Sequence, residues 1–200
     1  MSWEEDQEWE MQWHGNCANS FWEETKQIVY AKKMGLAAQN KAGKYPVYDL
    51  KGASVLDVGG GPYSILLKCI NFHGTVLDPC NYPDWTVDRY VDCHIGLIRQ
   101  PAENFVTDYV FDEVWIYNCL QHTISPEKII TNVRKYAKII RVFEWIDMGI
   151  TNGHSYILTE MQLNKWVGGE GKTEELSENG CFGKAYYGIF KGDKYEISPS

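Results

Sequence analysis

The sequence predicts an α/β fold, a parallel sheet covered by helices on both faces. Strand-like apolar runs alternate with amphipathic helical stretches from about residue 50 onward, and such alternation requires crossovers that lay helices on the sheet faces. A run of three glycines, Gly59 to Gly61, lies directly between one strand and the next helical stretch. The chain has 200 residues with 44% apolar side chains, enough for one well-cored domain,. Within it, residues 1–50 read as a helical cap or lid over a core of residues 51–200.

Taken in order, half of the eight tryptophans (Trp3, Trp9, Trp13 and Trp22) fall in the first 22 positions, among Glu and Gln. Trp3, Trp9 and Trp13 recur at helical spacing, which fits a core face, a contact with a second copy of the chain in a homodimer, or an aromatic wall over a pocket. A helix is expected from Asn19, capped by Ser20, with Glu23 and Glu24 in its first turn. Its apolar stripe is Phe21, Ile28, Val29, Ala31, Met34 and Leu36. Residues 40–48 form a turn-rich connector and residues 53–58 (ASVLDV) a buried strand.

Residues 62–71 are expected as a short helix with Pro62 in its first turn,. Next come a strand at 75–78, a helix at 87–92, a third strand at 94–98 and a fourth at 112–117 (DEVWIY). Ser125 opens a helix over 126–138, a fifth strand follows at 139–145, and a helix spans 159–167. That last helix is entered through a capping box, Thr159 with Gln162. A closing strand runs over 186–191, and the residues after Val167 supply the final hairpin.

Charge and cysteine content narrow the function. Lys and Arg number 19 against 27 Asp and Glu, a net charge of −8, which argues against a nucleic-acid partner because such binding relies on cationic side chains. The longest apolar runs are too short to span a bilayer, and the N-terminal segment MSWEEDQEWE is acidic where a secretion signal is basic and then apolar,. The six cysteines, at 17, 69, 80, 93, 119 and 181, show no zinc-clip spacing and are too sparse for a disulfide scaffold,. They read as reduced thiols in a cytoplasmic protein without a metal site.

The glycine turn carries the chemistry. Gly59 allows a tight bend after the strand, Gly61 leaves bare backbone for a ligand, and Ser64 is small enough for close packing. Asp78 ends the next strand 19 positions after Gly59, the spacing of a carboxylate that grips ribose hydroxyls. Asp57, two positions before the first glycine, would repel a pyrophosphate laid over this turn. It suits S-adenosylmethionine, which carries an ammonium and a sulfonium; the other reading of Asp57 is an acid that braces the loop.

These motifs together resemble the class I S-adenosylmethionine-dependent methyltransferases, in particular their small type 11 and type 12 members. LDVGGGP matches the family's acid-x-Gly-x-Gly motif, with Pro62 in place of the third small residue. Val76 to Pro79 (VLDP) matches the strand that ends in the ribose-binding acid, and Gln100 to Glu103 (QPAE) the stretch that frames adenine. FDEVW with Leu120-Gln121-His122 matches the fourth-strand segment, and Gly153-His154 through Leu163 the entry to the last helix. The resemblance covers about residues 52–168. It implies a Rossmann-like, seven-stranded, mostly parallel sheet whose last strand is antiparallel, and methyl transfer from bound S-adenosylmethionine to an O or N atom of a small-molecule acceptor. It also implies cofactor contacts from Asp57, Gly59, Gly60, Gly61, Asp78, Pro79, Ala102, Glu103 and Asn118.

His122 follows the fourth strand on the ligand-binding edge and is the best-placed base. Glu144 and Asp147, at the end of the fifth strand, are further base or anchor candidates. Trp13, His14, Trp22 and His154 are candidates for an acceptor-side lid. Three rival readings are a nucleic-acid methyltransferase, a nicotinamide-dinucleotide oxidoreductase and a non-catalytic cofactor-binding module. Asn118-Cys119-Leu120-Gln121 lacks the prolines of exocyclic-amine DNA enzymes, and Asp57 opposes the oxidoreductase.

Overall fold

The computed structural model of the chain describes residues 3–15, 20–39, 45–151 and 153–195. The expected helix start at Asn19, the side chains of Ser20 and Phe21, most of the 40–48 connector and Cys17 lie outside the described residues. Two helices, α1 (Trp3–Gly15) and α2 (Ser20–Lys33), precede the sheet. The strands are β1 (Tyr48–Val58), β2 (Cys69–Leu77), β3 (Gly96–Ile98), β4 (Phe111–Tyr117), β5 (Ala137–Trp145), β6 (Lys172–Glu178) and β7 (Cys181–Lys191). Between them lie α3 (Asp84–Asp92), α4 (Pro126–Val133) and α5 (Glu160–Val167).

The seven strands lie in the order β3-β2-β1-β4-β5-β7-β6. The pairs β2–β3, β1–β2, β1–β4 and β4–β5 are parallel, while β7 runs antiparallel to both β5 and β6. The order reverses between β1 and β4, and the crevice beyond the carboxyl ends of these two strands is where open α/β sheets take ligands.

Side-chain alternation along each strand divides the core into two layers. Leu56, Val58, Val114, Ile116, Ile140 and Val142 face one layer, with α4 and α5. Val55, Trp115, Tyr117, Phe143 and Trp145 face the other, with Val29, Tyr30, Ala31 and Met34 of α2 and Tyr90 of α3. α2 is therefore part of the core, whereas α1 lies across the carboxyl edge of the sheet. There Asp6 accepts a hydrogen bond from Ser155, and the Trp9 ring packs on bare Gly153.

Several boundaries differ from the expected ones for physical reasons. Residues 62–71 are not an α-helix. Extended backbone at Ser64 (ψ 142°) splits them into 3-10 turns at Gly61–Tyr63 and Ile65–Lys68, and Cys69 already starts β2. Helix α4 stops at Val133, and a 3-10 turn follows. Ala137 and Lys138 are then recruited to β5, where Ala137 pairs with Phe111. Helix α2 ends before Leu36 because the chain turns at Gly35 (φ +78°). The closing strand starts earlier than residue 186: β7 begins at Cys181 and forms the final hairpin with β6, the two meeting at Asn179-Gly180, both with positive φ, the chemistry of a tight hairpin turn,. The capping box of α5 is present, with Gln162 N–H on Thr159 Oγ1 and Thr159 N–H on Gln162 Oε1.

The bend after β1 is tightly constrained. Gly59 has φ +68°, and a Cβ there would lie 2.5 Å from Cys119 Cβ. Left-handed backbone strain and overpacking add, so Gly59→Ala is expected to lose about 2–4 kcal/mol of stability in urea unfolding. A loss below about 0.5 kcal/mol would contradict this packing.

Candidate functional site

A cavity opens at the carboxyl ends of β1, β2 and β4. Its floor is the bend Gly59 to Gly61, with Asp78, Pro79, Ala102 and Glu103 on one side and Asn118 and His122 on the other. These sequence-predicted residues thus line a single space. Gly61 is bare backbone at φ +57°, and a Cβ there would approach only the Tyr82 hydroxyl, at 3.7 Å. Asp78 holds the bend from the side: Gly61 N–H donates to Oδ2 (3.0 Å) and Cys80 N–H to Oδ1 (2.9 Å). Burial nevertheless raises the Asp78 pKa above the usual carboxylate value, against the pull of these two N–H groups. Asn118 adopts left-handed backbone (φ +49°), a conformation asparagine accepts better than most residues,.

The mouth is closed by α1. Trp3, Gln7, Glu10 and His14 share one helical face and line the cavity,. Glu10 lies between two imidazoles, 3.1 Å from His122 Nδ1 and 3.4 Å from His14 Nε2. Burial pushes the Glu10 pKa up, but the surrounding histidines, His122 first, outweigh it and hold the carboxylate below its ordinary value. His122 Nδ1 also contacts the Gly153 carbonyl oxygen. Both partners of Nδ1 accept hydrogen bonds, so Nδ1 carries a proton and donates it,.

The charge of the cavity is one-sided. Glu10, Glu23, Asp78 and Glu103 line it, and no lysine or arginine does among the described residues. Two nearby cations are not among the lining residues but are held by residues that are: Lys26 by Glu23, and Arg89 by the Pro62 carbonyl and the face of Tyr63, with the Trp85 ring beside it, 4.9 Å from each ring.

Three predicted residues have other surroundings. Asp57 does not face the cavity. Strand parity points it into the α2–α3 layer beneath the bend, where its Oδ2 accepts hydrogen bonds from the Ser64 and Tyr117 hydroxyls (the latter at 2.7 Å). Burial pushes its pKa up to about 7, against those two bonds, so it is a brace and not a fixed anion presented to a ligand. Glu144 points into the opposite layer, where Oε1 accepts the N–H groups of Cys119 and Leu120, both at 3.1 Å. It therefore fixes the turn that carries His122 from below and reaches neither the rim nor the cavity. Asp147 is exposed and bonded to Lys184 (2.8 Å), away from the site.

Of the candidate lid residues, His14, Trp13 and His154 line a second, adjoining cavity, whereas Trp22 is exposed near Gly180 and lines neither. The contributions of Gln7, Glu10, Tyr63 and Tyr82 were not foreseeable from an apolar stripe. For α1 the one available signal was the spacing 3, 7, 10, 14 on a helix.

Glu144 supplies a test of this assignment. Burial pushes its pKa up to about 8 from an ordinary value of 4.5, against the two backbone N–H bonds. Between those values the folded chain holds a proton that the unfolded chain has lost, so stability falls as pH rises through the window, by up to about 1.4 kcal/mol per pH unit. Glu144→Gln cannot titrate. Its melting temperature relative to wild type is expected to rise from pH 5 to pH 9, and a difference independent of pH would contradict the brace.

No protein-family model matches the sequence, and no curated protein does either. Solved structures do match over nearly the whole chain. One is a chain in the complex of the Haloferax volcanii Trm112 methyltransferase activator, with TM-score 0.64, 10% identity, and 98% of this chain and 99% of that chain covered. Another is the DhpI complex with S-adenosylhomocysteine (TM-score 0.63, 13% identity, 96% and 98% covered). A third is magnesium protoporphyrin IX methyltransferase (ChlM) from Synechocystis PCC 6803 with bound S-adenosylmethionine (TM-score 0.57, 12% identity, 93% and 97% covered). With the strand order and the site at its reversal point, the chain has the fold of the class I S-adenosylmethionine-dependent methyltransferases.

Proposed function

We propose that this chain is an S-adenosylmethionine-dependent methyltransferase that acts on an O or N nucleophile of a small molecule. The observation that carries the reading is the cavity itself: bare glycine backbone, a ribose-spaced Asp78, and four carboxylates with no lysine or arginine among the described lining residues. Two like charges 4 Å apart repel by about 4 kcal/mol at an effective dielectric constant of 20. Such a lining disfavours a pyrophosphate carrier and favours a ligand with an ammonium and a sulfonium. The structural neighbours with bound S-adenosylhomocysteine or S-adenosylmethionine support the same choice.

When bound, the donor supplies an electrophilic methyl group on a positively charged sulfur. The protein's part is then alignment, exclusion of water and removal of a proton. Gly59 to Gly61 and Asp78 hold the nucleoside, with Pro79, Ala102 and Glu103 on the adenine side. The anionic Glu10 complements the positive charge. The α1 face of Trp3, Gln7, Glu10 and His14 acts as the lid that keeps water out. His122 is the base: its Nδ1 is committed to Gly153 and Glu10, and its Nε2 is free to take the acceptor's proton.

Asp78→Ala removes the ribose-binding carboxylate and is expected to weaken S-adenosylhomocysteine binding by about 1–3 kcal/mol in calorimetric titration. Unchanged affinity in a variant that still melts cooperatively would remove the ribose assignment.

A further inference from the structure

The second cavity adjoins the first and shares Glu10, His14, Asn118 and His122 with it. Its walls are aromatic. The Trp9 and Trp13 rings stack at 5.4 Å with an interplanar angle of 15°. Trp145 at the end of β5 and Phe182 at the start of β7, neighbours across the same end of this antiparallel pair, also line it. The imidazoles of His122 and His154 lie 4.6 Å apart along its border with the first cavity. Phe182 is 70% exposed and Trp13 37% exposed, although both are large apolar rings. Exposed aromatic rings around a concave site mark a ligand surface more often than a folding one.

The electrostatics of this space are as informative as its shape. Its one lysine, Lys26, is paired with Glu23. Burial pushes the His154 pKa down to about 4, and the neighbouring His122 adds to this, so the ring is neutral at pH 7. Glu10 remains anionic. Among the described residues, no unpaired cation is available to an acceptor carboxylate or phosphate.

We propose that this second cavity binds the methyl acceptor, and that the acceptor is a planar aromatic ring without negative charge whose hydroxyl or ring N–H faces His122. The proposal rests on the donor reading of the first cavity and adds the acceptor's site and chemical class. Flat rings stack against indole and phenyl walls with minimal loss of conformational freedom, while a carboxylated or phosphorylated acceptor meets Glu10 without a compensating cation. In the transfer step, the acceptor O–H or N–H proton passes to His122 Nε2. The lone pair on that O or N forms the bond to the methyl carbon. The electron pair of the breaking carbon–sulfur bond stays on sulfur, which ends as a neutral thioether. Trp9, Trp13, Trp145 and Phe182 determine specificity by shape, and Glu10 rejects anions.

The test uses 2-naphthol as probe, followed by calorimetry with the full chain, both alone and saturated with S-adenosylhomocysteine. Wild type is compared with the Phe182→Ala single variant and the Trp13→Ala/Phe182→Ala double variant, whose substituted side chains do not line the first cavity, with cooperative melting required of each and the single variant expected to shift binding in the same direction. The double variant is expected to bind 2-naphthol about tenfold more weakly or worse, with its S-adenosylhomocysteine affinity within about threefold of wild type, because neither side chain lines the first cavity,. The anionic analogue 3-hydroxy-2-naphthoate is expected to bind wild type at least about tenfold more weakly than 2-naphthol. Equal 2-naphthol affinity in the double variant would overturn the proposal. So would a naphthoate, or a methyl glucoside, that binds wild type as tightly as 2-naphthol. If wild type fails to bind S-adenosylhomocysteine, the donor reading falls, while the titration without it still decides the aromatic site.

Discussion

The site depends on a bend of three glycines held in place by carboxylates that the ligand space never directly meets or only partly meets. Asp57 sits under the bend and joins three elements with one oxygen: its own strand β1, Ser64 in the link to β2, and Tyr117 at the end of β4. Ser64 in turn accepts the Leu66 N–H, and Tyr117 accepts the Ile65 N–H, so the link between β1 and β2 is pinned through hydroxyl groups. Asp78 completes the arrangement from the side by accepting the Gly61 N–H. Because Cys119 packs directly against Gly59, the ends of β1 and β4 cannot separate without breaking these contacts. Glu144 does for the β4 exit what Asp57 does for the β1 exit. Two neighbouring strands thus deliver backbone to the same crevice, each braced by a buried acid with a raised pKa.

With the bracing acids turned away from the crevice, selection of charge falls to side chains that enter it from other elements. Glu10 comes from α1, Glu23 from α2, Asp78 from the end of β2 and Glu103 from the turn after β3. The N-terminal helix therefore contributes to the electrostatics of the crevice, through Glu10 against His122. Its docking is polar and aromatic, with Asp6 on Ser155, Gln7 on Cys80 and Trp9 on Gly153. A surface of this kind can release more readily than a packed apolar one, which suits an element lying over a ligand entrance.

The parts of this arrangement that are legible in the sequence are those encoded by short-range pattern. The strand–glycine–turn segment, the acid at the end of β2 and the stretch around Ala102 and Glu103 all line one cavity, as their spacing implies. The strands are legible for the same reason, since runs such as VLDV and DEVWIY are buried on both faces. Asp57 and Glu144 are misread as ligand-facing because a strand-end acid is expected near solvent. One residue of parity decides which way it points, and parity is set by the whole ladder. The 62–71 segment is misread because residues 59–68 must run back along the whole of β1 to Cys69, which pairs with Tyr48, and an α-helix at about 1.5 Å per residue is too short for that return,. The functional face of α1 escapes notice because it is Trp, Gln, Glu and His, without the apolar stripe by which a packed helix is recognised.

On the proposed reading, a bare-backbone crevice ringed by carboxylates takes a cationic adenosyl donor in preference to a pyrophosphate-linked dinucleotide. Calorimetric titration of the full chain with S-adenosylmethionine and with NAD, at matched ionic strength, tests this most directly. S-adenosylmethionine is expected to bind at least about 100-fold more tightly than NAD, the equivalent of about 2.8 kcal/mol. NAD binding as tight as, or tighter than, S-adenosylmethionine binding would contradict it.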